Sequence, residues 1–328
     1  MKAIVYHNDG SPDALKLEEI ERPTPGDDEV LIKVRAASVN ALDAGSLRHP
    51  FMRRIVSALS KLKNNRPGRD VAGQVEAVGS KVTHFKPGDA VFGWCGGAFA
   101  EYACTSQSKL VTKPDNASFE QAAAVPVAGL TALQGLRDTG KVQPGQKVLI
   151  NGASGGVGTF ALQIAKSLGA DVTAVCSSRN VDRARSIGAD RVIDYTREDF
   201  TKGGEHYDVI FDLVANHSFS ARQRVLNPKG ICIGAGIVGL GDSMVRLLSH
   251  LITELVLSRF VSQKFVTFMA KLNKEDLTVL RDLMAAGKVT PVIDRCYRLS
   301  EVPEAIRYLG EGHARGKVVI TLGNTLHV

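Results

Sequence analysis

A glycine-rich stretch that follows an apolar run is the feature that most constrains the fold of this chain. Residues 147–158 read KVLINGASGGVG and contain four glycines. The apolar residues at the start predict a buried strand, and the residues that follow predict a helix. A turn from strand to helix needs one glycine, whereas four allow backbone N–H groups to approach a phosphate at the helix N-terminus. The stretch therefore predicts the first strand, turn and helix of a dinucleotide-binding sheet.

Two regions of the chain differ in their pattern of strands and helices. Residues 1–115 contain short runs rich in Val and Ile, separated by turn sequences such as RPTPGDD, which predicts an all-β, barrel-like module. From residue 147 onward, apolar strands alternate with helical segments, which predicts a doubly wound parallel sheet. The sequence thus predicts an α/β protein of two domains, for which 328 residues are sufficient.

Composition excludes several classes of protein. The chain is 44% hydrophobic and 23% charged, which is typical of a soluble globular protein. No 18-residue window is apolar and uncharged, and the first 20 residues contain no apolar signal-peptide core. We therefore expect no membrane span and a cytoplasmic location. The five cysteines are scattered without CxxC spacing, which argues against disulfides and against a structural zinc site.

The residues after the next predicted strand bear on the choice of nucleotide. That strand ends at Cys176, about 20 residues past the glycines, where an NAD site usually carries a carboxylate for the ribose hydroxyls. Here the sequence offers Ser177, Ser178 and Arg179 instead. These residues suit a 2′-phosphate because they supply hydrogen-bond donors and a positive charge. The sequence therefore predicts NADPH, and the alternative is that Arg179 is only a solvated residue at a helix start.

Six segments spread over nearly the whole chain carry a family resemblance: GRDVAG, FKPGDAVFG, QAAAVPVAGLTA, GASGGVG, GADRVIDY and GHARGKVVI. Together they resemble the zinc-free, quinone-oxidoreductase-like branch of the medium-chain dehydrogenase/reductase superfamily, and within it the reticulon-interacting NADPH oxidoreductases and their bacterial relatives. The resemblance implies a GroES-like catalytic domain, residues 1–121 and 289–328. It also implies a Rossmann NADPH-binding domain, residues 122–288, with the active site in the cleft.

Many members of the superfamily hold a catalytic zinc, and this sequence departs from their ligand pattern. The first ligand position is Asn40, and the second motif carries Arg69 and Asp70. Residues 106–174 contain no cysteine to serve as a third ligand. Zinc binds thiolate, imidazole or carboxylate, so amide and guanidinium groups argue against it, and we expect no metal. A tyrosine that quinone oxidoreductases often carry five residues past this asparagine is replaced by Gly45.

The resemblance also implies contacts between the chain and NADPH. It places several residues of the glycine turn and of the next strand ends against the nucleotide, and it places the glycines of the segment GAG near the nicotinamide. Tyr195, in the segment IDY, could instead cap a strand. Together with the residues derived from the pattern itself, the full predicted cofactor set is Ser154, Gly155, Gly156, Val157, Gly158, Ser177, Ser178, Arg179, Tyr195, Gly234 and Gly236.

The expected absence of zinc bears on the reaction. Without a Lewis acid an alkoxide is poorly stabilised, whereas a quinone or enone accepts hydride at carbon and delocalises the charge to a distant oxygen. That oxygen needs hydrogen-bond donors, for which the sequence offers Asn40 and Thr131. Asp43 is a third candidate catalytic residue that could instead cap a helix, and Arg69 and Asp70 could form a structural ion pair. The alternatives are a secondary-alcohol dehydrogenase or a non-catalytic NADPH-binding protein with a basic interaction surface.

A basic segment with interleaved apolar residues directly follows Asp43 in the sequence. Residues 44–69 contain no acidic residue and seven cations, which equals the net charge of +7 of the whole chain. Helical spacing of the apolar residues predicts an amphipathic helix that covers the barrel or, over residues 48–66, contacts an anionic membrane. Phe51 is its single aromatic residue, which argues against binding to nucleic acid. A second apolar stripe, residues 247–256, is expected in the core or between two copies of the chain, and we expect a homodimer.

Overall fold

The computed structural model describes residues 1–7, 14–43, 65–235 and 261–323. Its strands are, in chain order, β1 (Lys2–Tyr6), β2 (Leu15–Glu19), β3 (Glu29–Val39), β4 (Asp70–Val78), β5 (Ala90–Trp94), β6 (Tyr102–Ser106), β7 (Leu110–Thr112), β8 (Lys147–Asn151), β9 (Asp171–Cys176), β10 (Arg191–Asp194), β11 (Tyr207–Asp212), β12 (Leu226–Ala235), β13 (Lys264–Phe268), β14 (Ile293–Arg298) and β15 (Lys317–Thr321). Its helices are α1 (Phe119–Ala123), α2 (Pro126–Gln134), α3 (Gly156–Ser167), α4 (Val181–Ser186), α5 (Phe219–Arg224), α6 (Lys274–Ala285) and α7 (Val302–Gly310). By its contacts the chain divides into two compact units, residues 1–130 with 272–328, and residues 131–271.

The first unit is built on a seven-stranded sheet in which both ends of the chain take part. Its strand order is β14-β15-β3-β4-β5-β7, and β6 pairs with β3 beside this path. Only β14 and β15 pair in parallel, and the other pairs are antiparallel. β1 and β2 form a separate two-stranded sheet. The strand β15, near the end of the described chain, therefore lies next to β3.

Apolar side chains from both ends of the chain form one core in this unit. Ile32 and Val34 of β3 belong to the same buried cluster as Val71 of β4 and as Val318 and Ile320 of β15. Burial of this apolar surface holds the three strands in a fixed register, because a shift of one residue would turn these side chains to the opposite face. The polar residues at the ends of the same strands are thereby fixed as well.

The second unit is a six-stranded parallel sheet with the strand order β10-β9-β8-β11-β12-β13. The helices α3, α4 and α5 lie in the connections between its strands. The strand order reverses at β8 and β11, and doubly wound sheets bind their ligands at the carboxyl ends of the strands at such a point. The predicted α/β class with a doubly wound parallel sheet is confirmed.

The helix α6 lies with the first unit when the chain is divided by its contacts. Within this unit the Asn116 side-chain amide donates a hydrogen bond of 3.0 Å to the carbonyl oxygen of Met284, near the end of α6. The sequence-based boundary, before residue 289, places this helix in the Rossmann domain. The domain boundaries given by the sequence stay a prediction.

Two of the features singled out in the sequence lie outside the described residues. They are most of the basic segment together with Gly45, and the apolar stripe of residues 247–256 together with Gly236. No helix in the described ranges is long and apolar enough to cross a membrane.

Candidate functional site

The glycine-rich turn joins β8 to α3 in the second unit. Gly152 has a φ of +89°, a backbone conformation that favours glycine because it lacks a Cβ atom. A Cβ atom at Gly158 would overlap the carbonyl oxygen of Gly152, so this glycine allows the start of α3 to pack closely on the turn. Two of the four glycines are therefore required by the fold itself.

The N-terminus of α3 fits an anion. Its N-cap residue is Gly155, which provides no side-chain cap, and its first turn contains no acidic residue. A Cβ atom at Gly155 would have only the carbonyl oxygen of Gly152 near it, at 3.5 Å, so the space beside this residue is open. Ser154, Gly156 and Val157 are partly exposed. The first N–H groups of a helix lack partners within the helix and carry a partial positive charge, so this end suits the pyrophosphate of a dinucleotide.

The predicted nucleotide-selecting residues follow the end of β9, the strand next to β8. Ser177 is buried, and its hydroxyl oxygen accepts a hydrogen bond of 3.1 Å from the Asn180 side-chain amide. Ser178 and Arg179 are exposed. The Tyr195 backbone N–H donates to the carbonyl oxygen of Cys176, while the side chain of Tyr195 is 57% exposed. The three exposed side chains can therefore meet a ligand.

The structure brings a carboxylate to this place that sequence reasoning missed. Asp194 ends β10, which pairs in parallel with β9 so that Asp194 lies opposite Cys176. The Ser178 hydroxyl donates a hydrogen bond of 2.5 Å to the Asp194 carboxylate. The end of β9 carries no carboxylate of its own, as the sequence indicated, but the neighbouring strand supplies one. The signal in the sequence was the acidic residue at the carboxyl end of the next predicted strand.

Hydrogen bonds keep the Asp194 carboxylate ionised. The Thr196 hydroxyl and backbone N–H donate to it at 2.7 and 3.0 Å, and the Arg197 guanidinium lies 3.6 Å away. The bond from Ser178, followed by those from Thr196, holds the pKa of Asp194 below its usual value. A negative charge is thus a fixed part of this end of the sheet.

Further along the sheet, Gly234 lies in register with the ends of the neighbouring strands. It lies opposite Asp212 of β11 and Thr267 of β13, and Asp212 lies opposite Asn151 of β8. Asp212 is buried and accepts a hydrogen bond of 2.9 Å from the Asn151 side-chain amide. Its carboxylate also lies 3.5 Å from the buried Arg222 guanidinium, so its charge is balanced within the unit.

A buried polar cluster lies at one end of the large sheet in the first unit. β3 ends one residue before Asn40, β4 begins at Asp70, and β15 begins at Lys317. Antiparallel pairing places Ser38 of β3 opposite Asp70 and Val39 opposite the residue after Lys317. The register of three strands therefore brings together groups that are 30 and 277 residues apart in the sequence.

Hydrogen bonds connect every polar group of this cluster. The Asp70 carboxylate accepts from the Ser38 hydroxyl at 2.8 Å, from the Asn40 side-chain amide at 2.9 Å and from the Val127 backbone N–H at 3.1 Å. The Lys317 ammonium donates to the Asn40 side-chain oxygen at 2.7 Å and lies 3.6 Å from the Asp70 carboxylate. Both ends of the Asn40 amide are thus held, which fixes its orientation.

Lys317 is the functional candidate that sequence reasoning missed in this unit. Its side chain is only 3% exposed, and that of Asp70 is fully buried. Burial lowers the pKa of Lys317, whereas the charges of Asp70 and Asp43 act in the opposite direction. The expected ion pair between Arg69 and Asp70 is not the one observed, because Lys317 is the cation beside Asp70 and Arg69 is partly exposed.

Asp43 has the local contacts of a helix-capping residue. Its carboxylate accepts a hydrogen bond of 2.8 Å from the Asn40 backbone N–H, and its own N–H donates to the Asn40 carbonyl oxygen. Burial raises the pKa of Asp43 to about 6, while the Asn40 N–H and the charges of Arg69 and Lys317 oppose that rise. A catalytic role of Asp43 stays a prediction.

Two other predictions bear on the same chemistry. Thr131 lies on α2, is partly buried and belongs to the second unit, and its role stays a prediction. For the metal, no group of three His, Cys, Asp or Glu side chains is arranged to bind an ion in the described parts of the chain. The Asp70 carboxylate, a donor that zinc could use, is committed to three hydrogen bonds and lies beside an ammonium group.

Comparison with known proteins identifies the family. A family model described as alcohol dehydrogenase GroES-like domain matches residues 26–115, and one described as zinc-binding dehydrogenase matches residues 187–320. A chloroplastic quinone oxidoreductase, QR1, of Triphysaria versicolor is 34% identical over 337 residues, which cover 98% of each chain. The chain belongs to the quinone-oxidoreductase-like branch of the medium-chain dehydrogenase/reductase superfamily.

Other relatives and solved structures place the chain within this branch. An NADPH-dependent alkenal/one oxidoreductase of Arabidopsis thaliana is 34% identical and covers 98% of this chain and 79% of its own. The mitochondrial NAD(P)H oxidoreductase RTN4IP1 of Mus musculus is 35% identical, with coverage of 90% and 82%. The structure of a quinone oxidoreductase from Coxiella burnetii superposes with a TM-score of 0.85 at 31% identity and covers 98% and 99%. The family resemblance and the GroES-like and Rossmann fold class predicted from the sequence are confirmed.

Proposed function

We propose that this protein is an NADPH-dependent reductase that transfers a hydride to a quinone or an α,β-unsaturated carbonyl compound without zinc. The observation that carries the proposal is the Asn40 amide, which stands at the first zinc-ligand position of the superfamily and is held by Lys317 and Asp70. The names of the relatives support the same reaction and cofactor. This is the reaction that the sequence predicted.

The chain's own contribution is to bind the cofactor and to stabilise charge on the acceptor. When bound, NADPH supplies the hydride. The Asn40 amide donates one hydrogen to Asp70, and its second amide hydrogen has no acceptor among the described residues. We propose that this hydrogen is donated to the oxygen of the quinone or enone, where negative charge develops during hydride transfer. Thr131 is the second proposed donor, and Asp43 holds the Asn40 backbone in place.

The cofactor is assigned to the carboxyl edge of the parallel sheet. The N-terminus of α3, with Ser154, Gly155, Gly156, Val157 and Gly158, is proposed to hold the pyrophosphate. Ser177, Ser178, Arg179 and Tyr195 are proposed to surround the adenosine ribose and its phosphate. Gly234, and with it Gly236, are proposed to lie near the nicotinamide. The helix terminus with its open space at Gly155 supports this arrangement.

A pair of glycine substitutions separates cofactor binding from folding. Gly155→Ala should fold normally, because Gly155 has a φ of −78° and open space for a Cβ atom. It should weaken NADPH binding by about tenfold, since the added methyl group stands where the phosphate would lie. Gly158→Ala should instead lower the free energy of unfolding by about 1–3 kcal/mol, because its Cβ atom overlaps the Gly152 carbonyl. Fluorescence titration and urea unfolding measure the two effects, and unchanged NADPH binding by Gly155→Ala would refute the phosphate site.

The proposed reaction is tested by comparing acceptors. We expect the protein to oxidise NADPH in the presence of a simple benzoquinone or an open-chain enone, and to show little oxidation of secondary alcohols with NADP⁺. Faster alcohol oxidation would favour the secondary-alcohol dehydrogenase. Tight NADPH binding without turnover of any acceptor would favour the non-catalytic NADPH-binding protein.

Three finer assignments belong to the same proposal. A homodimer is supported by β13, an edge strand of the parallel sheet to which no further strand pairs in the described ranges. A cytoplasmic location is supported by five free cysteines, which are typical of a reducing compartment. Peripheral contact with an anionic membrane through residues 48–66 rests on the sequence alone, since most of that segment lies outside the described residues.

A further inference from the structure

We propose that Asp194 limits the preference of this protein for NADPH over NADH, because its carboxylate disfavours the 2′-phosphate while Ser178, which donates to it, accepts from the ribose hydroxyl of NADH. The inference rests on the proposed location of the adenosine ribose beside Ser178 and Arg179. It reverses the role expected for Ser178, which becomes an acceptor for a ribose hydroxyl rather than a donor to a phosphate.

The position of Asp194 follows from the sheet. In a dinucleotide-binding unit, the residue that contacts the adenosine ribose lies at the end of the second strand, which here is β9. β10 is the parallel neighbour of β9, and both strands end at the same level, with Asp194 opposite Cys176. The Asp194 side chain is still 13% exposed. A carboxylate thus reaches the ribose region from the third strand, although the end of the second strand carries none.

The direction of the hydrogen bonds determines what Ser178 can offer a ligand. Its single hydroxyl hydrogen is donated to the Asp194 carboxylate, which has no hydrogen to give in return. The Ser178 oxygen then presents lone pairs only, which accept from a ribose hydroxyl but cannot donate to a phosphate oxygen. The Thr196 hydroxyl, 3.0 Å from the Ser178 hydroxyl, is also directed to Asp194.

The charges of the site oppose one another. Arg179 is exposed and suits a phosphate. Arg197 is 80% exposed and lies 3.6 Å from the Asp194 carboxylate, which partly neutralises it. A 2′-phosphate bound beside Ser178 would face the negative charge of Asp194. We therefore expect a weaker preference for NADPH over NADH than Arg179 and Arg197 would give without this carboxylate.

Asp194→Asn tests the proposal, because asparagine keeps the size of the side chain and removes its charge. The amide nitrogen of the introduced asparagine would donate to Ser178 and release the serine hydrogen for a phosphate. We expect the ratio of the dissociation constants of NADH and NADPH to rise about tenfold, and the gain to shrink at high salt. Asp171→Asn, at the opposite end of β9, is the matched control for loss of one negative charge, and it should leave the ratio unchanged.

A second variant tests the proposal without changing Asp194. Ser178→Ala at this exposed position should weaken NADH more than NADPH, because it removes the acceptor for the ribose hydroxyl. Greater weakening of NADPH, or an unchanged ratio in Asp194→Asn, would overturn the proposal. Arg179→Ala, titrated with both nucleotides, distinguishes a failure of the proposed role of Asp194 from a failure of the proposed ribose site. If Arg179→Ala weakens both nucleotides equally, the ribose has been placed wrongly.

Discussion

Lys317→Met should lower the free energy of unfolding by about 3–5 kcal/mol, because it leaves the fully buried Asp70 carboxylate without its cation. Urea unfolding at neutral pH measures the loss. Lys33→Met, at an exposed position of β3, is the matched control and should change the stability by less than about 0.5 kcal/mol.

A double variant shows whether the loss comes from the uncompensated charge. Lys317→Met combined with Asp70→Asn removes both charges, and without Lys317 the Asn40 amide can turn so that its oxygen accepts from the new amide. We expect the double variant to be more stable than Lys317→Met alone. Two losses that simply add would contradict the coupling of Lys317 and Asp70.

Asn40→Ala should lower kcat for quinone and enone reduction by about 100-fold or more, the usual effect of removing one donor to a developing oxyanion. NADPH binding should be unchanged, because Asn40 lies in the first unit and the proposed cofactor residues lie in the second. Steady-state kinetics with a soluble quinone and fluorescence titration with NADPH measure both quantities.

Ser38→Ala is the control that separates catalysis from structure. Like Asn40→Ala, it removes a hydrogen bond to the Asp70 carboxylate, but it leaves the Asn40 amide in place. Its kcat should fall far less than that of Asn40→Ala. Equal losses in the two variants would show that Asn40 acts only through the stability of the cluster.

The fold and the glycine turn could be predicted because they depend on local sequence. The apolar run that became β8 and the glycines that follow it specify a strand, a turn and a helix start within 12 residues. The alternation that follows specified the parallel sheet. The short strands of residues 1–115 predicted only an all-β domain. The more specific prediction of a GroES-like domain came from the family resemblance.

The positions of Lys317 and Asp194 could not be predicted, because they depend on the pairing of strands that are separate in the sequence. Lys317 lies 277 residues from Asn40, and a lysine is rarely buried, so no local pattern marks it as part of a site. Asp194 comes from β10, and only the parallel pairing of β10 with β9 brings its carboxylate to the end of β9, which no local pattern in the sequence marks. Arg69, next to Asp70 in sequence, suggested the wrong ion pair for the same reason.

The position of the transferred hydrogen distinguishes a zinc-free quinone and enone reductase from an alcohol dehydrogenase. NADPH deuterated at carbon 4, prepared separately with the label on each face, is consumed with an enone by protein whose zinc content is measured on the same sample. We predict that one of the two labelled cofactors transfers deuterium to the β-carbon of the saturated ketone. The amount transferred should be the same in the presence of a chelator, and the protein should contain far less than one zinc per chain. Deuterium at the carbonyl carbon of an alcohol product, or one zinc per chain whose removal abolishes transfer, would contradict a zinc-free quinone and enone reductase.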